Sequence, residues 1–186
     1  AGLVSASAVT GVAGTVKVAA NEVFSTASLL ANGTTGGSIF VGASAGNANL
    51  GGTISASGTS GNGGSINASA SQNLTLVGTV AANGADGGVI NLAANSGSIA
   101  LVNNAVQANG TNGRGGELSF TAANDVQVNS ATITANGLTD GGSLTMVTQS
   151  GNVNITSATV QTNGSNGRGG TIGISGTNGT LITSSS

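Results

Sequence analysis

The sequence predicts an all-β fold, a single-stranded parallel β-helix with three short strands per coil. Three observations predict it. Two separate markers repeat with a step of about 26 residues, the apolar period inside each repeat is two, and the chain is rich in Gly, Asn, Ser and Thr with no Pro. About seven such coils fit in 186 residues. Left-handed β-helices usually keep a strict hexapeptide rule that this chain lacks, so right-handed winding is expected.

The first marker is a Gly-Gly pair, or Ala13-Gly14, followed two places on by an aliphatic residue. It gives Val16, Ile39, Ile66, Ile90, Leu118, Leu144 and Ile172, the expected core ladder, with spacings of 23, 27, 24, 28, 26 and 28. The second is the string "ANG" and its variants. It places a corner polar ladder at Asn32, Ser57, Asn83, Asn109, Asn136 and Asn163, with spacings of 25, 26, 26, 27 and 27. Three residues before each polar marker stands an aliphatic, from Leu29 to Val160, and one residue before it a small residue. A repeat of this length is the signature of a solenoid.

Within one repeat the three strands appear in order. In residues 87–114 they are carried by Ile90 and Leu92, then Ile99 and Leu101, then Val106 and Ala108. Alternation over a few residues marks a strand with one buried face. Gly, Asn and Ser separate the segments, as turns require. Stacking at about 4.8 Å per coil gives a rod on the order of 34 Å long. Each coil buries little alone and closes a continuous core with its neighbours. Glycine is expected to supply positive φ at the corners, and stacked Asn side chains to hydrogen-bond along the axis. The stretch between "ANG" and Gly-Gly varies in length, which places that corner in water.

Composition excludes several classes. The chain carries 3 Lys+Arg and 5 Asp+Glu, a net charge of −2, so no basic footprint for nucleic acid exists. No apolar run approaches a membrane span. Without Cys or His there is no disulfide, thiolate metal site or usual nucleophile–base pair. No cofactor is expected.

The few charges concentrate at one corner. Asn62, Asp86, Arg114, Asp140 and Arg168 each precede a Gly-Gly pair. Stacked, they form a corner charge ladder at Asp86, Arg114, Asp140 and Arg168 with alternating signs, which brings opposite charges within reach. The competing reading is four solvated loop charges. Exposed pairs contribute about 0–1 kcal/mol each, so such a ladder sets register more than stability. "GTNGRGG" lacks the Lys-Ser/Thr and following helix of a phosphate loop and reads as a turn. Glu117 and Asp125, with Arg114 near the first, are the strongest acidic grouping for carbohydrate chemistry, against a plainer reading as scattered surface charge.

The whole of 1–186 reads as one solenoid domain. Residues 1–12 supply an N-terminal strand that completes a coil, 13–168 six full coils, and 169–186 an incomplete C-terminal coil with its first two strands. Neither end shows a helix, charged cluster or Pro that would blunt an edge. Head-to-tail stacking of copies through the terminal coils is therefore expected, and a contact of this type that does not close gives a filament. The alternative is a segment of a longer solenoid.

The repeats "GGVINLAANSGSIALVNNAVQANG" and "GGSLTMVTQSGNVNITSATVQTNG" resemble the filamentous-haemagglutinin-type repeats of bacterial exoproteins and adhesins, over about residues 13 to 183. That resemblance implies a right-handed β-helix, an extracellular or cell-surface site, adhesion or biofilm roles and no catalysis. It departs from members with an Asn-Pro-containing secretion domain, since this chain has no Pro. The expected function is thus a non-enzymatic extracellular structural protein stacking into a fibre, sheath or biofilm matrix. A stalk segment of a large adhesin and a carbohydrate-binding or carbohydrate-active β-helix are the alternatives. The expected partner is a further copy of the chain, with host or matrix polysaccharide as another candidate, and neither nucleic acid nor membrane insertion is expected.

Overall fold

The computed structural model describes residues 2–183 of the chain. It is a β-solenoid of strands β1 to β21, numbered in chain order, with no helix among the described residues. The first sheet stacks β2 (Thr15–Ala20), β5 (Ser38–Ala43), β8 (Ser65–Ala70), β11 (Val89–Ala94), β14 (Glu117–Ala122), β17 (Ser143–Thr148) and β20 (Thr171–Ser175). The second stacks β3 (Val23–Ser25), β6 (Ala48–Leu50), β9 (Leu74–Leu76), β12 (Ile99–Val102), β15 (Val126–Asn129), β18 (Asn152–Thr156) and β21 (Gly179–Thr183). The third stacks β1 (Leu3–Ser5), β4 (Ser28–Leu30), β7 (Ile54–Ser55), β10 (Val80–Ala81), β13 (Ala105–Gln107), β16 (Thr132–Thr134) and β19 (Thr159–Gln161). Every pairing is parallel, and each strand pairs with its equivalent one coil away.

Parallel stacking in register turns the alternation of each strand into columns. Val16, Ile39, Ile66, Ile90, Leu118, Leu144 and Ile172 are successive Cα partners in the first sheet. All but Ile172 are buried. Ile172 belongs to the last strand of its sheet, where no further rung covers it, and is 46% exposed. A second inward column of that sheet runs Val41, Ala68, Leu92, Phe120, Met146. Where it holds Ala68 the second sheet supplies Leu74 and Leu76, where it holds Leu92 the second sheet supplies Ile99 and Leu101, and where it holds Phe120 the second sheet supplies Val126 and Val128, all of them buried. Beside the corner after the third strand, Ala31, Ala56, Ala82, Ala108 and Ala135 are fully buried. A small side chain there lets the chain turn inward.

The backbone corrects one expectation. The Gly-Gly corner positions are not in the left-handed region. Their glycines answer a distance constraint: a Cβ on Gly88, Gly116 or Gly142 would come within 3.0 Å of a backbone carbonyl oxygen of the preceding coil. Among the described residues positive φ falls on two glycines outside those pairs, Gly11 at 94° and Gly179 at 156°, and on Asn103, Ser130 and Ser157, with φ of 48°, 51° and 50°. The last three carry the left-handed geometry. These stand at equivalent places between the second and third strands. Earlier coils cross the same corner with one residue fewer, as Leu76 to Val80 shows against Leu101 to Val106. A left-handed turn absorbs the extra residue at this corner without disturbing the columns. Asn tolerates that region, and Ser does so at a modest cost.

Candidate functional site

At each corner the strands break and neighbouring coils lose regular sheet partners. Backbone N–H groups there still need acceptors. Side-chain oxygens of the preceding coil provide them, in three columns.

The first column contains the corner polar residues named from sequence. Asn32 Oδ1 accepts the N–H of Ser57 at 2.7 Å, and Ser57 Oγ accepts that of Asn83 at 3.2 Å. Asn83, Asn109 and Asn136 accept in turn from Asn109, Asn136 and Asn163 at 2.7, 2.9 and 2.7 Å. The column also extends back to Ser7, whose Oγ accepts the Asn32 N–H. Asn109 shows how fully such a residue is used. Its N–H donates to Asn83, its carbonyl accepts from Gly84, its Oδ1 accepts from Asn136 and its Nδ2 donates to Thr134 Oγ1 at 3.0 Å. Similar cross-links join Asn83 to Gln107 and Asn136 to Gln161, tying the corner to the outer face of the third sheet.

The second column contains the charges. The structure brings Asn62, Asp86, Arg114, Asp140 and Arg168 into one line. Asp86 Oδ1 accepts the backbone N–H of Arg114 at 2.8 Å, and Asp140 Oδ1 accepts that of Arg168 at 3.1 Å. Arg114 Nε approaches Asp140 Oδ2 at 3.5 Å. The carboxylates therefore act first on backbone N–H groups, and a guanidinium–carboxylate contact joins only Arg114 to Asp140 among the described residues. With the Arg114 side chain 76% exposed, that contact is well solvated.

The third column was missed by the sequence reading. It runs through Glu22, Asn47, Asn73, Ser98 and Asp125, each just before a second-sheet strand, and Asn152, which opens one. Asn47 Oδ1 accepts the Asn73 N–H at 3.1 Å, Asn73 that of Ser98 at 2.9 Å, Ser98 that of Asp125 at 3.2 Å, and Asp125 that of Asn152 at 2.8 Å. Asn47 Nδ2 donates to Glu22 Oε1. A signal was present: these positions recur at 25, 26, 25, 27 and 27 residues. Mixed Glu, Asn, Ser and Asp identities concealed it.

Asp125 thus serves as a rung acceptor, while Glu117 opens β14 on the outward face, exposed. No group of three or more His, Cys, Asp or Glu among the described residues is placed to hold a metal ion. One buried polar side chain stands apart. Asn104 is 8% exposed, and neither its Nδ2 nor its Oδ1 has a hydrogen-bond partner among the described residues. It faces inward at a corner where the next coil has buried Ala131.

Two surface grooves follow from the columns. Along the charged corner, the side-chain-free Gly-Gly pairs form the floor of a groove of about 610 Å³, rimmed by Arg114, Asp140 and Arg168 on one side and Glu117, Ser143 and Thr171 on the other. A smaller polar groove of about 350 Å³ lies beside the third column, against Asn49, Thr75, Ala100 and Gln127. No family model, curated protein or solved structure matches the chain.

Proposed function

We propose that the chain is a structural rod element of an extracellular surface fibre, sheath or matrix, extended along its axis by strand addition and not by catalysis. The observation that carries this reading is the common sense of the corner columns. In each, the preceding coil offers a side-chain oxygen and the following coil an N–H. The rod therefore has two unlike end faces, and coils add head to tail. The outermost rungs also leave core-column residues uncovered, Val4 at 47% and Ile182 at 64% exposed. A further coil laid over these faces buries them and pairs the edge strands, the mode of β-augmentation. A coil of a second copy serves, and so does a coil of the same polypeptide, as in an adhesin stalk. The extracellular site is supported by the likeness of the repeats to exoprotein repeats.

Negative-stain electron microscopy of the purified chain over a concentration series tests self-stacking. Filaments of uniform width, many times longer than one rod, are expected. Monodisperse short particles at every concentration would overturn stacking between copies.

A further inference from the structure

The corner columns place Asn before Gly repeatedly, and this dipeptide carries a reactivity of its own. The Gly nitrogen can attack the Asn side-chain carbonyl carbon, because Gly has no Cβ to hinder the approach. The nitrogen loses its proton, the C–Nδ2 bond breaks with release of ammonia, and a five-membered succinimide forms. One water then opens either succinimide carbonyl to leave aspartate or isoaspartate. Net, a side-chain amide and water become a carboxylate and ammonium, with no oxidant or reductant.

The attack requires a side chain free to swing and a Gly N–H free to lose its proton. At Asn83, Asn109 and Asn136 the fold denies both. Each Oδ1 is held by the N–H of the next rung at 2.7–2.9 Å. The following Gly84, Gly110 and Gly137 donate their N–H to the next rung's carbonyl at 3.0, 2.8 and 2.8 Å. At the outer corner the restraints relax. Asn112 is exposed and its side chain has no hydrogen bond among the described residues, yet the Gly113 N–H still donates to Ala85 O at 2.8 Å. At Asn166 neither restraint is present: Asn166 and Gly167 are exposed, and neither the Asn166 side chain nor the Gly167 N–H has a partner among the described residues. Asn163 and Gly164 also lack both restraints among the described residues, but at the other ladder sites both come from the following rung, so a further coil protects Asn163, whereas the Gly113 N–H bond that Gly167 lacks is to the preceding coil. Asn112 stays exposed although the coil bearing Thr139 and Asp140 stacks upon it, so exposure at this corner survives coverage by a following coil.

We infer that Asn166 is a self-modification site, converted without an enzyme through a succinimide to aspartate and isoaspartate, while Asn83, Asn109 and Asn136 are protected by the rungs that hold them. The new carboxylate stands two residues along the chain from Arg168, which itself rims the Gly-Gly groove, and takes the net charge of the chain from −2 to −3. This inference is independent of the fibre reading.

The test is to incubate the purified chain at mildly alkaline pH, digest it, and follow each Asn-Gly peptide by mass spectrometry, with isoaspartate separated chromatographically. Releasing two hydrogen bonds before attack sets the ladder sites back by roughly 10-fold or more relative to Asn166, with Asn112 between. The same incubation in denaturant should bring all the sites together. In Asn166→Gln the product at that site should vanish while Asn83, Asn109 and Asn136 keep their rates. Conversion of Asn109 or Asn136 as fast as Asn166 in the folded chain overturns the inference, as does an order of sites that denaturant leaves unchanged.

Discussion

Two glycine-to-alanine substitutions separate the roles of glycine in this rod. At Gly116 an added Cβ would fall within 3.0 Å of Gly88 O, Gly87 C and Ala108 Cβ, where ordinary contact begins at 3.4 Å. The obstacle is backbone, which no rotamer change removes. The same backbone is already committed: the Gly116 N–H donates to Ala108 O at 2.7 Å, and Gly88 O accepts the Glu117 N–H at 3.0 Å. The first bond closes the corner within one coil, but moving the rungs apart enough to admit the methyl group forfeits the second, which joins neighbouring coils. An unmade buried hydrogen bond costs about 1–3 kcal/mol, so Gly116→Ala should destabilise by about 1–3 kcal/mol. Gly42 is the control. It lies inside β5, and its added Cβ would meet only Ser69 Oγ at 4.0 Å. Gly42→Ala should stabilise by about 0.4–1 kcal/mol through the unfolded chain. Urea midpoints of the two variants and the parent give the comparison. Equal midpoints for the two variants would refute the reasoning, because they would mean the rungs do not approach closely at the Gly-Gly corner.

Three further outcomes follow from the columns. Asn104→Ala should raise stability by about 1–2 kcal/mol, since it removes two unsatisfied buried polar atoms at a corner where the next coil holds Ala131; a gain of about 2–4 °C in melting temperature per kcal/mol is the readout, and a loss would reveal a partner for the amide. Asn109→Ala deprives the Asn136 N–H and Thr134 Oγ1 of their partner and should cost about 1–2 kcal/mol in denaturant titration. At the charged corner, Asp140→Asn keeps an acceptor for the Arg168 N–H and should stay within about 0.5 kcal/mol of the parent, whereas Asp140→Ala should cost about 1 kcal/mol at any salt concentration; equal effects would mean that the ion pair with Arg114 outweighs the backbone acceptor.

What the sequence disclosed and what it withheld divide along the range of the interactions. The aliphatic column from Val16 to Ile172 was legible because alternation and a repeating step are local patterns, and stacking follows from both. The Asn column was legible because one residue type dominates it. The column from Glu22 to Asn152 has the same step but changes residue at almost every rung, amid an abundance of Asn and Ser. The role of glycine was misassigned for a related reason. Positive φ is a local property and the natural first reading of Gly, whereas the constraint on Gly116 comes from Gly88, a contact 28 residues away. The left-handed positions fall on Asn103, Ser130 and Ser157, where one inserted residue per coil had to be absorbed. Asn104 carried no signal at all, being one Asn among many until its surroundings were known.

The same accounting explains why a chain with so few charges places two arginines at one corner. A rung in these columns has two tasks: its N–H needs an acceptor behind it, and it must offer an acceptor to the rung ahead. Asn, Ser and Asp perform both, which is why they interchange along the columns. Arginine has five donors and no acceptor, so it performs only the first task. An arginine rung is therefore tolerable where an acid precedes it, as Asp86 precedes Arg114 and Asp140 precedes Arg168. Arg114 offers no acceptor ahead, and the Asp140 N–H has none among the described residues; the guanidinium joins the two rungs through the Asp140 carboxylate instead. The alternation of sign is then a consequence of donor and acceptor bookkeeping, with charge attraction secondary. Two consecutive arginine rungs would lack that carboxylate contact as well as the acceptor and would set like charges together, whereas an amide followed by an acid, as Asn62 by Asp86, keeps the backbone acceptor.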